Sequence, residues 1–139
     1  MQFQPYLTFD GNCAEAMKFY ERVLGGQIQM MMKIKDAPEQ CAGMPPDAGD
    51  RIMHACLVLE GSMLMASDSM PGQPFEGMKG FGVAISYPTP EASRPVFEAL
   101  AEGGQVGMPL GETFWAEAFG MVTDRFGTPW LINGGPKQI

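Results

Sequence analysis

His54 is the single histidine of the 139-residue chain, and an imidazole is the side chain that most readily moves a proton or ligates a metal near neutral pH. It lies in RIMHACLVLEGSMLMASD, where two strand-like runs flank Glu60-Gly61, a pair compatible with a tight hairpin turn. Pairing Leu59 with Ser62 across that turn sets Cys56 opposite Met65 and His54 opposite Ser67. Side chains alternate along a strand, so His54, Cys56, Val58, Met63, Met65 and Ser67 share one face. Ala55, Leu57, Leu59, Leu64 and Ala66 share the other, an aliphatic set suited to cover by a helix. The first face gathers the polar and sulfur-bearing groups and predicts a lined cavity. His54 is its candidate catalytic group, with Cys56, Met63, Met65 and Ser67 as pocket residues. The plainer alternative is a histidine hydrogen-bonded to Ser67 or to a backbone carbonyl near the sheet end.

A second cluster, ETFWAEAFG, sets Phe114, Trp115 and Phe119 around Glu112 and Glu117, and Trp130 follows in TPWLIN. Apolar walls with a few polar groups are the composition of small-molecule pockets, so the four aromatics are candidate pocket residues. Their alternative role is packing, since aromatics dominate cores and interfaces. Glu112 at the start of the motif is a candidate general base beside His54. Cys13 falls in the first turn of a predicted helix, where the helix dipole lowers a thiol pKa; a small residue at a helix start is the simpler reading. His54, Cys56, Asp68, Glu112 and Glu117 are the ligand types near the expected site, and they form no recognised metal spacing. No cofactor is therefore expected, a divalent metal at a non-standard site being the less favoured alternative.

The elements that must position these groups come in two similar halves. In PYLTFDGNCAEAMKFYERVLGGQIQM a strand leads to a helix, Gly-Gly and another strand. Asn12 with Glu15 makes a capping box, Ala16, Met17, Tyr20, Val23 and Leu24 recur at helical spacing, and Gly25 ends the helix. FGVAISYPTPEASRPVFEALAEGGQVGM repeats the plan 78 residues later, with Val96, Phe97 and Leu100 as the apolar stripe. Pro95 suits a helix interior badly, so Ser93 is expected as the N-cap of a short second helix. The second half also ends in a hairpin, turning at Asp124-Arg125-Phe126-Gly127. Each half is thus β-α-β-β-β. The predicted fold class is α+β: module one 1–70, linker 71–79 and module two 80–135. Curved sheets with helices outside would leave a cleft inside. Residues 36–50, rich in Pro, Gly and Asp, read as a long surface loop of the lid or binding type.

Composition narrows the function. A formal charge of −7 and a pI near 4.5 exclude a nucleic-acid partner, which needs a basic face. No apolar run approaches the ~20 residues of a membrane span, and no signal peptide is visible at MQFQPYLTFDG. Three cysteines without metal spacing read as reduced thiols, which predicts a cytoplasmic protein. Thirteen methionines fit irregular core filling or an adaptable ligand surface.

PYLTFDGNCAEAMKFYERVLGG, IMHACLVLEGSMLMASD and ETFWAEAFGMVTDRFGTPWLIN together span nearly the whole chain. They resemble the PhnB-like branch of the vicinal oxygen chelate superfamily, which holds glyoxalase I, extradiol dioxygenases and bleomycin-resistance proteins. The resemblance implies two βαβββ modules forming a cleft, a homodimer and a small organic ligand. In superfamily enzymes, side chains of the first and last strands of a module hold a divalent metal that acts as a Lewis acid. Carried over by counting, those positions fall on Pro5, within 80–83, on Leu131 and on Met65, none a credible ligand. Some members carry ubiquinone-methyltransferase names, but this sequence has no Gly-rich strand-to-helix turn for a nucleoside. The expectation is a small-molecule binder without the usual metal. The alternative is a lyase- or isomerase-type enzyme using His54 and Glu112.

Overall fold

The computed structural model of the protein describes residues 1–37 and 48–138, so most of the expected lid loop at 36–50 lies outside the described residues. The chain divides into two compact units, Met1–Gly77 and Met78–Ile139. In the first, β1 (Tyr6–Phe9), α1 (Cys13–Leu24), β2 (Gln27–Lys33), a 3-10 turn (Ile34–Asp36), β3 (Ile52–Leu59) and β4 (Ser62–Asp68) follow in order. In the second, β5 (Val83–Tyr87), α2 (Pro90–Ala101), β6 (Gln105–Gly111), β7 (Ala116–Thr123) and β8 (Pro129–Pro136) repeat that order. The sheets have equivalent topologies, β1-β4-β3-β2 and β5-β8-β7-β6, with the first and last strands of each module parallel.

Both Gly-Gly pairs follow a helix and press on a strand. Gly25 and Gly26 have φ of 86° and 85°, and a Cβ on Gly26 would stand 2.5 Å from the Val58 carbonyl oxygen. At the matching place in the second unit, a Cβ on Gly104 would collide with the Thr123 carbonyl. The first hairpin turns through Glu60 and Gly61 with φ of 49° and 82°, the double positive φ of a type I′ turn.

Helix α1 packs on β2, β3 and β4, burying Cys13, Ala16, Met17, Phe19 and Tyr20 against Leu7, Phe9, Ala55, Leu57, Leu64 and Ala66. Val23 and Leu24, expected in the same stripe, are half-buried. Asn12 is the N-cap residue, but its side chain makes no capping bond. The Asp68 carboxylate at the end of β4 does that work: Oδ1 accepts from Cys13 N at 3.0 Å and Gly11 N at 2.7 Å, and Oδ2 from Ile52 N at 2.8 Å. A charged acceptor reaching in from the sheet thus replaces the local capping box.

The second helix is longer than expected. It starts at Pro90, capped by Thr89, whose Oγ1 accepts from Ala92 N at 3.2 Å, and it continues through Pro95 to Ala101. Ser93, expected to be the cap, is buried and donates its hydroxyl to the Pro90 carbonyl. The helix tolerates Pro95 because it sits in the second turn on the exposed side, so the carbonyl left without an N–H, that of exposed Glu91, meets water. Among the described residues no helix is long and apolar enough to cross a membrane.

Candidate functional site

Sheet one has a face that α1 does not cover. The hairpin register is the expected one, with Leu59 opposite Ser62, Val58 opposite Met63 and Cys56 opposite Met65. Pairing with β2 adds Met30 opposite Cys56 and Met32 opposite His54; parallel pairing with β1 adds Tyr6 opposite Met65 and Thr8 opposite Ser67. His54, Cys56, Met63, Met65 and Ser67 therefore share this face, as expected, and β1 and β2 extend it with Tyr6, Thr8, Met30 and Met32. Cys56 is 7% exposed, whereas His54, Met63, Met65 and Ser67 are half-buried.

His54 bonds to a residue the sequence did not nominate. Its Nδ1 lies 3.1 Å from the Tyr6 hydroxyl, and the rings stack at 28° with centroids 5.7 Å apart. Tyr6 reaches across β4 to do this. The phenol, not Ser67, is the imidazole's partner, and it fixes the ring with Nε2 free for a ligand. Next to this pair, a cavity of about 240 Å³ is lined by Thr8, Ser67, Gln73, Pro74, Phe75 and Glu76. The loop after β4 lines its far side.

The second cluster assembles within its own unit. Phe114, Trp115 and Phe119 form an edge-to-face ladder with centroid separations of 4.8 and 5.2 Å, running from 74% exposed Phe114 to buried Phe119. Glu112 is bound to Lys137 Nζ at 2.6 Å, and that ammonium also donates to the Thr113 carbonyl. The hydrogen bond from Lys137, and its charge, hold the Glu112 carboxyl below the usual range.

One expectation is corrected. Trp130 does not line an open face: it is 1% exposed, on the α2 side of sheet two, and its Nε1 donates to Asp124 Oδ2 at 2.8 Å. The same face brings Gly120 against Phe97 and Gly134 against Ser93, both on α2, while the opposite face carries Phe119, Met121, Leu131 and Asn133. Cys13 is fully buried, and burial, with the Asp68 charge beside it, pushes its thiol from 9.0 up to about 12. Desolvation outweighs the helix dipole there.

Tyr6, not Pro5, stands opposite Met65, and Ala84, one residue past the expected window, stands opposite Leu131. A phenol, a thioether and two hydrocarbon side chains do not fit the divalent metal of superfamily enzymes. No group of three or more His, Cys, Asp or Glu able to hold a metal ion occurs among the described residues.

Two βαβββ modules, each a four-stranded sheet with one covering helix, define the glyoxalase-like class. A glyoxylase/bleomycin resistance protein/dioxygenase domain from Frankia superposes with a TM-score of 0.66 at 15% identity, covering 97% of each chain. Within that class, the model of the 3-demethylubiquinone-9 3-methyltransferase family matches residues 1–133, and the chain belongs to this PhnB-like family. Protein YjdN of Escherichia coli is 39% identical, with 99% of this chain and 98% of that protein covered. The crystal structure of protein PA1353 from Pseudomonas aeruginosa is 47% identical with a TM-score of 0.88, covering 96% of each chain. A Bacillus cereus structure described as a putative 3-demethylubiquinone-9 3-methyltransferase, PhnB protein, is 25% identical with a TM-score of 0.77, covering 96% of this chain and 98% of that one.

Proposed function

We propose that this protein binds a small organic molecule on the open face of sheet one and holds it without the divalent metal of its enzymatic relatives. The observation that carries the reading is the stacked, hydrogen-bonded Tyr6–His54 pair, set among Met30, Met32, Met63 and Met65 beside the Thr8–Ser67 cavity. Thioethers on three rotatable bonds adapt to an apolar or aromatic body, and the imidazole and two hydroxyls orient one polar end. Methyl transfer, which the family's description names, lacks support: each sheet follows βαβββ order, and the Gly-Gly pairs follow helices instead of opening them around a nucleotide. A cytoplasmic homodimer is part of the same reading.

One observation favours a second reading. An imidazole whose Nδ1 is held by a phenol can pass a proton at Nε2, the relay a lyase or isomerase would need. In that case Tyr6, and not Glu112, is His54's partner.

Native mass spectrometry of freshly purified protein should show a retained organic mass that denaturation releases. Tyr6→Phe and His54→Gln should each lose most of it while keeping native circular dichroism. Equal retention in both variants would move the site elsewhere.

A further inference from the structure

Two adjacent rows of the open face of sheet one carry soft ligands. In one, Met30, Cys56 and Met65 stand side by side on β2, β3 and β4; in the next, Met32 pairs with His54. Directly opposed residues in a sheet lie about 5 Å apart, and methionine has the reach to close that gap, so up to three thioethers, one thiol and one imidazole can converge on a point above Cys56. The Tyr6 hydroxyl at His54 Nδ1 is the kind of outer contact that a ligating histidine ordinarily has: in the tautomer that carries its proton on Nδ1 and donates it to the phenol, Nε2 has its lone pair for a ligand.

We propose that this face is a binding site for one monovalent soft cation, Cu(I) or its analogue Ag(I). Cys56, Met65, Met32 and His54 would be the ligands, with Met30 at the edge. Ligand softness selects the ion, since thioether and thiolate donors favour Cu(I) and discriminate against Mg, Ca and Mn. Charge selects it as well. The ion displaces the Cys56 thiol proton to solvent, and one thiolate with one monovalent cation leaves no net charge on an apolar face. A divalent ion would leave a positive charge there without compensation, which is costly. The site shares Met32, Met65 and His54 with the organic-ligand reading but needs only the ion, so titration with the ion alone tests it separately.

The test is anaerobic titration of the full-length reduced protein with Cu(I) held by a chromophoric chelator, and with Ag(I) read by native mass spectrometry. One ion per chain is expected, with release of about one proton per ion and affinity that rises with pH. Cys56→Ser should weaken binding at least about 100-fold, and Met65→Leu or Met32→Leu at least about 10-fold, since loss of even an outer partner of a ligand costs about 10- to 100-fold. Met→Leu conserves volume and should leave the circular dichroism native, so the test survives if Cys56→Ser fails to fold. Cys41→Ser should change nothing. Binding that is insensitive to the Met65 and Met32 variants, or that is abolished by Cys41→Ser, would overturn the proposal, as would stoichiometry well below one.

Discussion

Asp68 shows what a single side chain holds together here. Its buried carboxylate accepts three backbone N–H groups that join the β1–α1 turn, the first turn of α1 and the start of β3. Asp68→Ala would leave those donors buried and unpaired, and should destabilise the fold by about 3 kcal/mol or more in urea unfolding. Burial, and after it the charge of Asp68, push the Cys13 thiol up to about 12 from an ordinary 9.0. Because the folded value is the higher, the native state keeps its full stability below pH 9; above it the unfolded chain ionises first. Stability should therefore fall as pH rises from 9 toward 12, by about 1.4 kcal/mol per pH unit from this group. Denaturation curves of wild type and Cys13→Ala should diverge in that window only, and parallel curves would contradict the burial. At this scale the sequence was only partly legible. The face of His54 followed from strand alternation and a two-residue turn, both local. Tyr6 lies 48 positions away and enters through a parallel pairing that no local pattern announces.

The elements show the same division between local and distant causes. Helix α2 carries its own cap at Thr89, whereas α1 borrows Asp68 from β4. Thr89→Ala should accordingly cost about 1 kcal/mol, while Asn12→Ala should cost only a few tenths, as thermal unfolding of the two variants would show. The capping box read at Asn12 and Glu15 was sound local chemistry that a stronger, distant acceptor displaced. The expectation of a shortened α2 gave Pro95 too much weight, because the cost of a proline falls when its orphaned carbonyl reaches solvent. The strands and the first hairpin's register were legible because Gly-Gly stops and Glu60-Gly61 leave little freedom in alignment. Trp130 was not: TPWLIN has apolar residues on both faces, so alternation alone could not say which side meets α2.

For the whole molecule, the donor set at Tyr6, Met65, Ala84 and Leu131 argues that protein purified without chelator holds well under one equivalent of Zn, Ni, Mn or Fe, as elemental analysis would report. Each sheet has two edge strands, β1 and β2 in one and β5 and β6 in the other, and exposed edges tend to be paired or covered. Sedimentation should therefore give a species of about twice the 15.1 kDa chain mass at micromolar concentration, and a clean monomer would argue against assembly. The central claim is that the open face of sheet one is where a small organic molecule sits. Methionine-methyl NMR tests it most directly, with the protein titrated against a fragment mixture or against its own released ligand. Shifts are expected in the methyls of Met30, Met32, Met63 and Met65, with no change at Met17 on the buried side of α1 and with the response lost in Tyr6→Phe. Shifts confined to Met108 and Met121 in the second unit, with those four methyls silent, would contradict it.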